Sequence, residues 1–101
     1  MSLLNLTALL CMTAPDPTAA AHALAAALAQ PDAPLVLDVR PRADFDRGHI
    51  QGAVPLKAWQ LRQHPAAKSA VIIGGPLVEG ALPGGMSGWC RAGLSVVGTC
   101  D

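Results

Sequence analysis

The sequence predicts an α/β fold in which helices cover a mostly parallel sheet, and three observations carry that expectation. Leu35-Val36-Leu37 is an unbroken apolar run that stops at Asp38, the pattern of a short strand buried on both faces. Ala70-Val71-Ile72-Ile73 is a second such run, rich in β-branched residues and ended sharply by Gly74-Gly75-Pro76. Residues 19–29 are dominated by alanine and leucine, and the spacing of Leu24 and Leu28 puts apolar side chains on one helical face.

Taken in order, residues 9–12 read as a first strand closed by Ala14-Pro15-Asp16-Pro17, with Thr18 placed to cap the following helix. Gln30-Pro31-Asp32-Ala33-Pro34 stops that helix, and His22 within it belongs on the surface. After Asp38, Pro41 disfavours helix at Arg40, so the strand opens into a loop at the sheet's carboxyl edge. Open α/β sheets place their sites there. Residues 43–47 have the charge and length of a short helix, and Gly48 is positioned to end it in a left-handed conformation. Residues 49–56 return the chain toward the core. Residues 56–67 read as a short helix and turn whose Trp59 and Leu61 cover the core edge. Residues 77–83 read as a short strand and turn.

The chain has 101 residues, enough for one domain near the small end of α/β folds. A hydrophobic content of 51% argues against disorder, whereas 3% aromatics leave a core of small Ala, Leu and Val side chains. Seven basic and seven acidic residues cancel, which argues against nucleic acid or an anionic membrane as partner. A neutral surface also resists self-association weakly, so a homo-oligomer is open. Three cysteines, Cys11, Cys90 and Cys100, are an odd number without a short paired spacing. They support neither a disulfide framework nor a metal site, and the compartment expected is the cytoplasm. Cys11 is expected buried, Cys100 exposed and oxidisable. The first residues lack a basic flank before their apolar run, so no signal peptide is expected, and no run reaches membrane-spanning length.

Asp38-Val39-Arg40, Phe45, Gly48-His49-Ile50, Gly52-Ala53 and Pro55-Leu56 resemble the signature of rhodanese-like domains, the sulfurtransferase superfamily. Gly84-Gly85-Met86, Trp89, Ala92-Gly93-Leu94 and Val96-Val97 resemble its closing segment, a Gly-Gly turn into a final helix with a buried tryptophan. The resemblance implies a three-layer domain without a cofactor. It also implies a catalytic cysteine within one or two residues of the strand at 71–73, heading a loop whose amides, with the tip of a following helix, hold the thiolate and its persulfide. Gly74, Gly75 and Pro76 stand in that place, and fewer than ten residues separate Gly75 from the closing segment. The expected fold is therefore a reduced form, without the active-site loop and the helix after it.

Two alternatives exist for the last part of the chain. Cys90-Arg91-Ala92-Gly93-Leu94-Ser95 also has the form C-R-x-G-x-S, an active-site loop of sulfurtransferases, and under that alternative Cys90 is the catalytic nucleophile. The closing-segment alternative is favoured, because residues 96–101 are too few to supply an anion-stabilising helix. Asp38, Arg40 and Arg47 are the candidate substrate-binding residues. The resemblance implies that Asp38 and Arg40 shape the site floor through hydrogen bonds and ion pairs, so a structural role is favoured for them. Arg40, Arg42 and Arg47 together could rim the sheet edge where a sulfur-containing anion docks in an intact relative. His49 is expected to fix the loop by a hydrogen bond. The expected function is a degenerate rhodanese-like domain with a binding or regulatory role, taking a small sulfur-containing anion or a protein partner. The alternative is a thiosulfate sulfurtransferase or persulfide carrier using Cys90.

Overall fold

The computed structural model describes residues 17–74 and 80–100. Its elements in chain order are α1 (Pro17–Leu28), β1 (Val36–Asp38), α2 (Arg42–Arg47), β2 (Gly48–His49), β3 (Val54–Pro55), α3 (Ala58–Leu61), a 3-10 turn (Ala67–Ser69), β4 (Val71–Ile73), α4 (Gly85–Arg91) and β5 (Val97–Gly98). The expected strand at 9–12, Cys11, and residues 77–79 of the expected strand at 77–83 lie outside the described residues.

The apolar run ending at Asp38 becomes β1, buried along its whole length. It is the centre of a parallel sheet in the order β3-β1-β4. Leu37 lies beside Val54 on one edge and Ile72 on the other, and Asp38 lies between Pro55 and Ile73. Pro55, which has no N–H to donate, is accommodated because β3 is an edge strand. On the outer side of β4, Ile72 forms a single parallel bridge with Ala81. That bridge is all that the described part of the expected strand at 77–83 contributes.

Alternation along β1 and β4 divides the core into two. Val36 and Ile73 face Ala21 and Leu24 of α1 and Trp89 of α4, so two helices cover this side. Leu37 and Ile72 face the opposite way, with Val39 and Ala70, and among the described residues Leu35, Leu56 and Leu61 pack against them. The fold is thus an α/β arrangement of helices about a parallel sheet. No helix lies between β4 and α4 among the described residues.

Three local expectations need correction. Thr18 does not cap α1, which already begins at Pro17. A proline suits a first helical position, since its missing N–H has no intrahelical partner to lose. Gly48 is extended, with φ −175°, rather than left-handed. It starts β2, which pairs antiparallel with β5, and a Cβ there would overlap the Thr99 carbonyl. Glycine is needed for close approach, not for a turn. Trp59 is 61% exposed instead of covering the core edge, because α3 is a single turn that presents Leu61 inward. His22, as expected, is on the surface.

Leu37 is fully buried in the second of these core clusters. Leu37→Ala should therefore cost about 2–5 kcal/mol in urea unfolding, whereas Trp59→Ala should stay within about 0.5 kcal/mol of the parent. Equal losses would show that Trp59 is covered in solution.

Candidate functional site

At the carboxyl end of β1 the chain leaves the sheet with a carboxylate buried to 1% exposure, that of Asp38. Such a group must be paired, and Arg40 pairs it. The Arg40 Nε donates to Oδ1 at 3.0 Å and Nη2 to Oδ2 at 2.9 Å, a two-pronged arrangement that lysine could not copy. The Arg40 backbone N–H donates to the same carboxylate at 3.0 Å, and Nη2 also reaches the Gly48 carbonyl at 2.7 Å. The pair thereby ties the end of β1 to the start of β2. Asp38 and Arg40 satisfy one another here, which is the floor-shaping arrangement the sequence implied.

The other arginines of the expected rim also meet carboxylates. Arg42 Nε donates to Asp46 Oδ1 at 2.9 Å, and Arg47 Nη1 lies 3.3 Å from Asp44 Oδ1. Both pairs are exposed and contribute little to stability. A cleft of about 440 Å³ opens at this carboxyl edge, between the ends of β1 and β3. Its lining includes Arg40, Arg42, Lys57 and Gln60 together with Val39 and Leu56. Lys57 and Gln60 were not singled out from the sequence, where nothing distinguishes them from other surface residues. His49 closes the other side of α2: its Nδ1 lies 2.8 Å from the Phe45 carbonyl, which can only accept. Its ring stacks on Phe45 with centroids 3.9 Å apart. It fixes the loop, as anticipated.

The end of β4 is where a nucleophile would stand in an intact relative. Gly74 occupies it with φ +79°, a left-handed conformation that side-chain-bearing residues rarely adopt. A Cβ at this position would press against the Arg40 Cγ. The glycine is thus packed against the Asp38–Arg40 pair.

Cys90 lies elsewhere, one residue before the end of α4. The Gly93 N–H donates to the Cys90 carbonyl at 3.0 Å and the Leu94 N–H to the Trp89 carbonyl at 3.5 Å, with Gly93 at φ +75°. This double closure is a Schellman motif, the usual way a helix stops. The run Cys90-Arg91-Ala92-Gly93-Leu94-Ser95 therefore ends a helix and does not introduce one. Trp89 is buried, and its Nε1 donates to the Ser95 carbonyl at 3.0 Å, as befits a closing segment. The expectation that the cysteines form no disulfide is corrected: Cys90 is bonded to Cys100, their Cα atoms 5.9 Å apart. Nothing in a ten-residue separation announces the pairing, because it depends on β5 folding back onto β2. The pair nonetheless shares a small cavity with Arg40, Asp44 and Arg47, so the structure brings Cys90 near two of the three candidate binding residues.

The parallel sheet flanked by helices, with the Asp38–Arg40 pair at its carboxyl edge, defines an α/β domain whose candidate site lies at the strand ends. Residues 20–73 match the model of the rhodanese-like domain, just over half of the chain, and the chain belongs to that family. Comparison with curated proteins and with solved structures finds no match. No group of His, Cys, Asp and Glu among the described residues could hold a metal ion, and no helix there is long and apolar enough to cross a membrane.

Removing one member of a buried pair leaves the other unsatisfied. Arg40→Met should lower unfolding stability by about 3–5 kcal/mol, and Asp38→Asn combined with Arg40→Met should recover part of that loss. A double-mutant cycle in urea measures the coupling. Additive losses would show that the pair does not act as a unit.

Proposed function

We propose that this chain is a rhodanese-like domain without thiosulfate turnover, serving as a binding or regulatory module in the cytoplasm. The observation that supports this most is Gly74: the strand end that should present a thiol carries a left-handed glycine packed against Arg40. Sulfur transfer needs a thiolate held by converging amides and a helix N-terminus. Cys90 is at the opposite end of its helix, where the dipole disfavours negative charge. The cleft between β1 and β3 is the natural binding place, and its mix of Arg42, Lys57, Val39 and Leu56 suits either a small sulfur-containing anion or a protein segment with an acidic group. Arg40 supports that cleft mainly by holding Asp38, whereas Arg47 lines the separate small cavity beside Cys90 and Cys100.

One observation favours the second reading, a persulfide carrier: Cys90 shares a cavity with Arg40 and Arg47. Fully reduced protein given thiosulfate and cyanide separates the two. The expected result is no thiocyanate above a Cys90→Ser control, and no added sulfur in the intact mass after thiosulfate alone. Turnover that Cys90→Ser abolishes, with a sulfur adduct mapped to Cys90, would falsify the loss of catalysis.

A further inference from the structure

We propose that the Cys90–Cys100 disulfide is a reversible thiol–disulfide exchange site, at which a low-molecular-weight thiol attacks Cys100 and releases the C-terminal strand from Gly48. The inference is independent of whether thiosulfate is turned over. The two sulfurs are unequal in access, since Cys100 is exposed and Cys90 is half-buried. An incoming thiolate therefore reaches the Cys100 Sγ first. The small cavity beside the bond is lined by Arg40 and Arg47, whose guanidinium groups are already paired with the carboxylates of Asp38 and Asp44. Attack at the exposed Cys100 makes Cys90 the leaving sulfur.

The step balances as follows. A thiolate RS⁻ forms a bond to the Cys100 sulfur as the Sγ–Sγ bond breaks, and the electron pair departs on Cys90. A second RS⁻ attacks the R-bearing sulfur of the mixed disulfide, releasing RSSR and leaving Cys100 as a thiolate. The two thiols are oxidised and the protein disulfide is reduced by two electrons.

Among the described residues the segment is held by a short pairing. β5 pairs with β2 through only Gly48–Gly98 and His49–Val97, extended by the Thr99 N–H donating to the Arg47 carbonyl at 2.9 Å. A two-stranded pairing this short is marginal in water. The Schellman closure and the Trp89–Ser95 hydrogen bond lie before β5 and remain, so α4 stays on the sheet while residues 97–100 come away. Opening then widens access to the small cavity beside Arg40.

Incubating the native full-length protein with glutathione, quenching in acid, alkylating and mapping peptides by mass tests the exchange. The expected products are glutathione on Cys100 and alkylated Cys90, with unchanged far-ultraviolet circular dichroism and faster amide exchange at Thr99 in the dithiol form. Glutathione found on Cys90 alone would overturn the assigned direction of attack. A bond that resists reduction until the protein is denatured would overturn the site altogether, and unchanged Thr99 exchange would overturn strand release.

Discussion

The buried carboxylate of Asp38 is the constraint around which this molecule is arranged. It lies at the end of β1, the central strand of the three-stranded sheet, at 1% exposure, where an unpaired charge would not be tolerated. Arg40 answers it with side chain and backbone together, and its remaining reach takes the Gly48 carbonyl. One ion pair therefore sets the direction in which the chain leaves β1, the placement of β2 and, through β2, the docking of β5. Gly74 closes against the same arginine, so the end of β4 is drawn into the same arrangement.

This accounts for how a family frame can persist with its chemistry in doubt. The residues matched by the family model end with β4, and they include the ion pair and its surroundings. That part of the chain is required for the sheet to close, whatever happens beyond it. A nucleophile makes no comparable demand on folding: the sheet, the pair and the closing helix stand with a glycine at position 74. The structural and catalytic parts of the domain are separable in the chain, and the structural part has the stronger physical reason to remain.

Much of this was legible in the residues. The two apolar runs became β1 and β4 because a short apolar stretch ended by Asp38 or by Gly74 is too brief for a helix and suits a buried strand. The Asp38–Arg40 relation was legible because a strand-end carboxylate beside a guanidinium needs a partner. What the residues did not disclose depends on distant parts of the chain. Gly48 has the same identity whether it ends a helix or lets two backbones approach, and only the return of Thr99 decides between them. Trp59 carries enough apolar surface to imply burial, but α3 is one turn long and turns Leu61 inward instead. The Cys90–Cys100 bond follows from the same return of the tail. The left-handed Gly93, followed by the apolar Leu94, closes α4 just after Cys90.

The order of strands in the sheet has a consequence for synthesis. β1 is made first yet lies in the middle, and its two neighbours come later, from Val54–Pro55 and then Val71–Ile73. A chain growing from its amino end cannot satisfy both flanks of β1 until Ile73 has left the ribosome. For that interval Val36 and Leu37 offer an open edge to any other extended segment, which is the period when such a nascent chain most needs a chaperone's cover.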